Sequence, residues 1–199
     1  MPRRPPIDPQ GYYHVGSRGS YGQPLCRSDD QYELLLMLYG RSAKKYGWET
    51  LELVVMLNHH HFVMRLTNGG LSEGMREFHG CFSRRIHAIY GLTGQGHLVR
   101  HGFFARQLRT EGEVLVACRY VDLNATAATG DAPEEARRGG YRATIGVEHP
   151  RPFHSPQELL ALISASAPNA RNAYRVFVED GLVLRNQVPS PNDGFMLRG

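Results

Sequence analysis

The spacing of apolar residues constrains the fold of this chain more than any other feature. Apolar side chains recur at helical spacing in two long segments, residues 28–46 and 72–90, and each segment begins at a serine that can cap a helix. Two runs with strand character, residues 49–56 and 60–66, follow one another between these segments. This order of elements is typical of a split βαβ arrangement.

Flanking segments complete the predicted fold. Residues 12–18 predict a first strand, residues 103–108 a fourth strand, and residues 110–127 a third helix. The order β-α-β-β-α-β followed by a helix predicts an α+β protein with a ferredoxin-like antiparallel sheet and one extra helix. A small helical tail is expected after it, with short helices at residues 155–164 and 168–181.

Changes in composition predict three regions. Four prolines among the first ten residues predict an irregular N-terminal arm over residues 1–11. The predicted strands and helices place one domain over residues 12–128. Residues 129–199 are expected to form a linker rich in glycine, proline and charged residues, up to about residue 155, and then the small helical appendage.

Length and composition exclude several classes of protein. A chain of 199 residues with 41% hydrophobic and 21% charged residues is globular, so disorder, collagen and a coiled coil are excluded for the whole chain. No run approaches the roughly 18 consecutive apolar residues of a membrane-spanning helix, and the N-terminus lacks the apolar stretch of a secretion signal. With three scattered cysteines, these features predict a cytoplasmic protein without a membrane partner.

Positive charge is concentrated in one part of the chain. The formal net charge is +4, yet residues 76–110 hold six arginines and one acidic residue, so this window carries +5 and the remainder −1. Histidines and aromatic residues lie between the arginines. Arginine beside aromatic groups suits phosphate binding and base stacking, which favours a nucleic acid as the partner. A solvated basic helix face is the alternative interpretation.

Three consecutive histidines follow the predicted turn between the second and third strands. On a strand, His59 and His61 project to the same face, whereas His60 points the other way with Phe62 and Met64, toward the predicted helices. Two imidazoles on one face can bind a single metal ion, although a closed site needs further ligands. Incidental surface histidines at a turn are the simpler alternative.

The third helix carries a tyrosine and an amide one turn apart. Tyr120 and Asn124 are separated by four residues and therefore lie on one helical face. A tyrosine hydroxyl can act as a nucleophile, and an amide oxygen can bind a hard cation. A tyrosine at this place is also consistent with packing alone.

Together, these segments resemble the single-tyrosine HUH transposases of the insertion-sequence-200-like kind, in particular the REP-associated tyrosine transposases. The resemblance covers most of residues 12–146, in order and at family-like spacing, and residues 170–181 resemble the C-terminal segment of the REP-associated members. The matching stretches are YHVGSRG at 13–19, VVMLNHHHFVM at 54–64, residues 69–98, RYVDLNATAA at 119–128 and GGYRATIG at 139–146.

The resemblance implies a set of site residues. His59 and His61 correspond to the two metal-binding histidines of the family, and Tyr120 corresponds to the nucleophile. Asn124 corresponds to the polar residue that completes the metal site, which is expected to hold Mg²⁺ or Mn²⁺. The third predicted helix is thereby identified as the catalytic helix.

The chain departs from the family pattern at three positions. His60 stands between the two histidines, where the family usually has an apolar residue, and it permits an alternative pairing of metal ligands. Leu57 and Ala125 stand where prolines are expected, which alters loop rigidity. These departures leave open whether this copy cleaves DNA.

The resemblance also implies the reaction and the partner. The reaction is metal-dependent nicking and strand transfer on single-stranded DNA with a REP-like hairpin, through a covalent 5′-phosphotyrosine. No nucleotide cofactor is expected, and a monomer is favoured over a dimer. The residues expected to bind DNA are Arg18, Arg84, Arg85, His97, Arg100, Arg106, Arg109 and Arg119.

Other functions stay open at the level of sequence. A domesticated DNA-binding protein of the same fold would bind DNA without cleaving it. A small metal-dependent phosphoesterase would use the histidines to activate water, and Tyr120 would only pack. A metal-binding module without catalysis is the simplest alternative, but it leaves the arginine-rich window unexplained.

Overall fold

Strands and helices follow one another in the predicted order. The computed structural model describes residues 7–91, 97–100, 102–129, 132–164 and 167–187, so most of the glycine-rich stretch GLTGQGH at residues 91–97 lies outside the described residues. The first elements are β1 (Tyr12–Arg18), α1 (Asp29–Tyr46), β2 (Trp48–Val55), β3 (His59–Leu66), α2 (Leu71–Tyr90), β4 (Phe104–Leu108) and α3 (Glu111–Thr129). They are followed by α4 (Tyr141–Thr144), α5 (Pro156–Ala161) and α6 (Ala167–Gln187).

The strands form one four-stranded sheet in the order β2-β3-β1-β4. Every neighbouring pair of strands in this sheet is antiparallel. Helices α1 and α2 contact each other on one side of the sheet, and α3 lies against β2 and β3 on the other side. This strand order is that of a ferredoxin-like fold with an added helix, so the predicted fold class is confirmed.

The two long helices begin differently. The side chain of Ser28 caps α1 by accepting a hydrogen bond from the backbone N–H of Gln31, as predicted. The predicted cap at Ser72 is wrong, because α2 already begins at Leu71. Gly70 precedes it with a φ of 68°, a left-handed conformation that glycine adopts without a steric penalty.

Strand β3 shows how the two sides of the sheet are built. Phe62, Met64 and Leu66 point toward α1 and α2 and join a core in which the ring of Tyr39 stacks on Phe62 with centroids 3.8 Å apart. Val63 points to the opposite side and joins a second core beneath α3, α5 and α6. The alternation predicted for this strand therefore separates two buried faces.

The stretch expected as a linker packs against β2. Gly139 forms a β-bridge with Val54, and His154 forms another with Thr50. Tyr141 is buried in the same core as the α3 side chains. The two predicted tail helices are present as α5, which is shorter than expected, and α6, which is longer. The domain boundary predicted at residue 128 stays a prediction, and the described contacts cross it.

The cysteines are consistent with the expectation drawn from their spacing. Cys26, Cys81 and Cys118 are all free thiols. Burial raises the pKa of Cys26 to about 12, so this thiol is unreactive at neutral pH. Within the described part of the chain, no helix is both long enough and apolar enough to cross a membrane. The cytoplasmic location stays a prediction.

Candidate active site

One end of the sheet brings the predicted site residues together. Strand β3 begins there with His59, β1 ends there with Arg18, and these two residues are direct cross-strand partners. His59 and His61 share the sheet face that α3 covers, and Tyr120 of α3 faces His61. Residues far apart in the chain are therefore adjacent on one surface of the sheet.

His61 is enclosed, with 1% of its surface exposed. Its Nδ1 lies 2.9 Å from Nε2 of His14 on β1, and its ring centroid lies 5.8 Å from that of Tyr120. Its Nε2 is buried and has no hydrogen-bond partner among the described residues. Burial lowers the pKa of His61 well below its usual range, and His14 adds to the effect, so the ring is neutral near pH 7.

His59 lies at the rim of the same face and is half-buried. Its Nδ1 lies 2.7 Å from Oδ1 of Asn58, and its ring meets that of His61 edge to face with centroids 5.3 Å apart. Burial lowers the pKa of His59, and the guanidinium of Arg18 lowers it further. A neutral imidazole with one nitrogen hydrogen-bonded can present the other as a metal ligand.

His60 points away from this group. Its Nε2 lies 3.1 Å from Nε2 of His79 on α2, and its ring packs against Phe62 and Phe78. The side chain is buried on the face that α1 and α2 cover. The alternative pairing of metal ligands through His60 is wrong, because successive residues of a strand project to opposite faces.

Tyr120 and Asn124 lie on successive turns of α3 and are half-buried. The Tyr120 ring stands edge-on to two imidazoles, with centroid distances of 5.6 Å to His14 and 5.8 Å to His61. Nδ2 of Asn124 is buried and has no hydrogen-bond partner among the described residues. Buried polar groups are normally paired, so an unpaired amide beside Tyr120 indicates a place that a ligand completes.

The donor set suits a divalent cation. Within the described ranges, no group of three or more His, Cys, Asp or Glu side chains is placed to hold a metal ion. The predicted set differs from such a cluster, since it combines the imidazoles of His59 and His61 with the amide of Asn124. A rotation of the Asn124 amide exchanges its nitrogen and oxygen, so the oxygen can take the buried position of Nδ2 and serve as a ligand. Two imidazoles and one amide oxygen would leave coordination positions open for a substrate.

Five of the residues predicted to bind DNA belong to this end of the fold. Arg18 ends β1, its Nε is buried without a partner among the described residues, and its carbonyl accepts a hydrogen bond from the backbone N–H of Arg100. The side chains of His97 and Arg100 are exposed. Arg84 and Arg85 are exposed toward the C-terminal end of α2, which leads back to this end of the sheet.

Of the other three predicted DNA-binding residues, Arg106 and Arg119 make side-chain contacts within the protein. Arg106 forms an exposed ion pair with Glu113 at 3.2 Å, and the side chain of Arg109 is exposed. The guanidinium of Arg119 lies 4.2 Å from the ring centroid of Phe177 on α6 and also contacts its carbonyl oxygen. Arg119 therefore fastens α6 to α3, and its role in binding DNA stays a prediction.

His14 escaped the sequence prediction. It is 9% exposed and lies between His61, Phe104 and Tyr120, with its ring centroid 5.5 Å from that of Phe104. Burial lowers the pKa of His14 to about 4, and its cross-strand neighbour Arg106 contributes to the decrease. The only signal in the sequence was its position in the first strand, which does not reveal the face of the sheet that it occupies.

Tyr21 also escaped the sequence prediction. It lies in a 3₁₀ turn, Ser20–Gly22, just after β1, and its side chain is fully exposed. Its φ of 53° is left-handed, which costs a residue other than glycine about 1 kcal/mol or more. The backbone N–H of Gly19 donates to the carbonyl of Asn58 at 2.8 Å, so the turn lies at the end of the sheet where His59 begins.

Two buried carboxyl groups lie where α3 packs against β2. Glu52 of β2 and Asp122 of α3 are 0% and 3% exposed. The hydroxyl of Thr144 donates to Glu52 at 2.8 Å, and that of Tyr174 donates to Asp122 at 2.5 Å. Burial raises the pKa of Glu52 to about 8, and burial together with Glu52 raises that of Asp122 well above its usual range. The first bond joins α4 to β2, and the second joins α6 to α3, the helix that carries Tyr120.

The fold and the site define a ferredoxin-like protein in which a helix tyrosine faces two strand histidines. The family described as "Transposase IS200 like" matches residues 9–124. This match covers more than half of the chain, and the chain belongs to the IS200-like transposase family. The family resemblance inferred from the sequence is confirmed, and the protein is a transposase. A search of curated proteins finds no match.

Three solved structures are similar to this chain, and the first of them shares its fold. A REP-associated tyrosine transposase bound to a REP hairpin is similar with a TM-score of 0.60 and 16% sequence identity, over 78% of this chain and 90% of that one. A putative transposase from Deinococcus radiodurans has a TM-score of 0.43 and 16% identity, over 62% of this chain and 97% of that one. A tRNA(His) guanylyltransferase from Saccharomyces cerevisiae has a TM-score of 0.45 and 12% identity, over 87% and 80%.

Proposed function

We propose that this transposase nicks single-stranded DNA and transfers strands through a covalent bond between Tyr120 and a 5′ phosphate. One observation carries the proposal: the ring of Tyr120 faces His61 at 5.8 Å, and the unpaired amide of Asn124 lies one helical turn further along α3. A hydroxyl that can act as a nucleophile thus faces an imidazole, and an amide lies one turn away on the same helix, in a chain of this family.

The proposed metal ligands are His59, His61 and Asn124. Mg²⁺ or Mn²⁺ bound there would supply Lewis-acid polarisation of the scissile phosphate. The two imidazoles are held by β3 and the amide by α3, so packing between these two elements sets the distance between the ligands. The hydrogen bond between His59 and Asn58 and that between His61 and His14 orient the rings.

Tyr120 performs the covalent step. Its hydroxyl oxygen attacks the phosphorus in line, a bond forms between that oxygen and the phosphorus, and the bond to the 3′ oxygen breaks. The phenol loses its proton, and the departing 3′ oxygen gains one. The product is a 5′-phosphotyrosine and a free 3′ hydroxyl. Attack by another 3′ hydroxyl reverses the step and joins strands without a nucleotide cofactor.

We propose that the DNA lies across the end of the sheet where β1 stops and β3 begins. Arg18, Arg84, Arg85 and Arg100 are the groups that would neutralise phosphates there. An unpaired strand exposes the scissile phosphate to Tyr120 and its bases to stacking. A hairpin of the REP kind is the proposed substrate because the REP-associated transposase of the same fold is bound to one. The proposed acting unit is a monomer.

A covalent-adduct experiment tests the proposal. Hairpin-bearing single strands labelled at the 3′ end are incubated with the protein and Mn²⁺ or Mg²⁺, and adducts that survive denaturation are measured. The 3′ label is required because the tyrosine retains the fragment that lies 3′ of the nick. We expect an adduct with the parent protein, its loss with Tyr120→Phe, and its retention with Tyr90→Phe, which removes the hydroxyl of a half-exposed tyrosine on α2.

A binding-only function is the second candidate. Two features favour it: no third His, Cys, Asp or Glu ligand joins the histidines among the described residues, and Leu57 and Ala125 replace expected prolines. The same experiment separates the possibilities. Hairpin binding without an adduct supports the binding-only function, whereas free 5′ phosphates that survive Tyr120→Phe support a phosphoesterase. An undiminished adduct with Tyr120→Phe excludes Tyr120 as the nucleophile.

A further inference from the structure

His14 of β1 contacts both a proposed metal ligand, His61, and the proposed nucleophile, Tyr120. Its Nε2 lies 2.9 Å from Nδ1 of His61, and its ring meets the ring of Tyr120 edge to face. Phe104 of β4 packs on its other side with centroids 5.5 Å apart, which limits rotation of the imidazole. His14 therefore has one well-defined partner for its Nε2 and a fixed ring position.

The hydrogen bond between the two imidazoles distinguishes the tautomers of His61. If His61 carried its proton on Nε2, a buried N–H donor would lack a partner, which is unfavourable. If the proton is on Nδ1, this N–H donates to Nε2 of His14, and the Nε2 lone pair of His61 is available to a ligand. The second tautomer is the favoured one, and it is the one that metal binding requires.

Gly16 makes this contact sterically possible. It is the direct cross-strand partner of His61, and a Cβ at this position would lie 2.9 Å from Nδ1 of His61 and 3.2 Å from its Cε1. Any side chain at Gly16 would therefore push the ring of His61 away from its present position. A glycine between His14 and the end of β1 leaves room for the two imidazoles to meet.

We propose that His14 is a positioning residue that fixes His61 in the Nδ1–H tautomer, directs its Nε2 toward the metal site, and holds the ring of Tyr120 in place. The inference rests on the proposed function, since it assigns His61 as a metal ligand. His14 itself supplies no ligand and makes no bond to the substrate. Because His61 already has the required tautomer and orientation, neither has to change when a metal binds.

Metal affinity of the DNA-free protein tests this role independently of cleavage. Binding of Mn²⁺ is titrated by electron paramagnetic resonance for the parent and for three variants. His14→Phe keeps the ring shape and removes the acceptor, so Mn²⁺ affinity is expected to fall about tenfold or more. His14→Gln keeps an acceptor oxygen and is expected to restore most of the affinity. His79→Gln changes a histidine on the opposite face of the sheet, away from His14, and is the matched control.

The outcomes separate this inference from the proposed function. A parent protein that binds no Mn²⁺ overturns the metal site itself. Parent-like affinity in His14→Phe, or an equal loss in His79→Gln, overturns the role of His14. The tautomer of His61 is read from its imidazole ¹⁵N shifts in the parent protein, which needs no substitution. A proton found on Nε2 of His61 contradicts the inference even if His14→Phe fails to fold.

Discussion

Each face of the sheet holds a pair of adjacent histidines, and the two pairs differ in what surrounds them. On the face covered by α3, Nε2 of His14 lies 2.9 Å from Nδ1 of His61, beside Tyr120. On the face covered by α1 and α2, Nε2 of His60 lies 3.1 Å from Nε2 of His79, among phenylalanines. Both pairs are neutral at pH 7 because burial lowers their pKa values.

These pairs show that the position of a histidine on its strand, more than its residue type, decides whether it can have a chemical role. His60 and His61 are adjacent in the chain, and a step of one residue moves the side chain from an aromatic core to a site with a hydroxyl and an amide. The His60–His79 pair is surrounded by groups that only pack. The His14–His61 pair faces groups that can bind or react.

The largest effect is expected from removing the proposed metal ligands. The double substitution His59→Ala, His61→Ala is expected to reduce formation of the covalent adduct by about 100-fold or more, because two of the three proposed ligands are lost. Much of the affinity for single-stranded DNA should remain, since phosphate contacts come from the arginines. His79→Gln on the opposite face is the matched control. Equal losses in both variants would mean that the two faces do not differ in function.

A second effect concerns pH and the carboxyl pair beneath α3. The pKa of Glu52 is raised from 4.5 to about 8 in the folded protein, so its contribution to stability is present below about pH 4.5 and is lost as the pH rises through 8. Glu52→Gln is expected to make this decline smaller by roughly a few kcal/mol, and the part that comes from the buried Asp122 should remain. Urea unfolding between about pH 5 and pH 9 measures it. If the free energy of unfolding changed with pH in the same way in the parent and the variant, the prediction that Glu52 is protonated in the folded protein would be wrong.

A smaller effect is expected at Tyr21, beyond the end of β1. Stacking of one base on an aromatic ring contributes about 1–3 kcal/mol, so Tyr21→Ala is expected to weaken binding of single-stranded DNA by about tenfold. Tyr21→Trp should retain the affinity. Met37→Ala is the control, because Met37 is a half-exposed apolar residue on α1. Fluorescence anisotropy with unpaired and hairpin strands measures all three, and unchanged affinity for Tyr21→Ala would exclude stacking there.

The smallest effect is expected from replacing the pair on the packing face. The double substitution His60→Leu, His79→Leu removes both hydrogen-bonding partners together, so stability near pH 7 should change by no more than about 1 kcal/mol and the adduct should persist. The pKa of His79 is about 4 in the folded protein against 6.5 in the unfolded chain, so its contribution is lost as the pH falls from 6.5 to 4. Unfolding curves at acidic pH should therefore become less pH-dependent in the variant. Loss of the adduct in a folded variant would assign this pair a role in the reaction.

Local patterns were sufficient to predict much of the fold. The strands and helices α1, α2 and α3 lie within one or two residues of their predicted bounds, because alternation and helical spacing are properties of short segments. The same alternation explains why His59 and His61 lie on one face of the sheet and His60 lies on the other. The packing of residues 132–155 on β2 could not be predicted in this way. Tyr141 and His154 are buried by contacts with a distant strand, and their neighbours in the chain show no periodicity.

The sequence by itself determined the family, the order of elements and the face of β3 that carries His59 and His61, because these depend on motifs and on residue spacing. Only the tertiary structure decided that His14 and Tyr120 contact His61, that His60 contacts His79, and that Arg119 packs on Phe177. The physical reason is that these contacts join residues from different strands and helices. Sheet order and helix placement bring such residues together, and no local pattern in the chain records those distances.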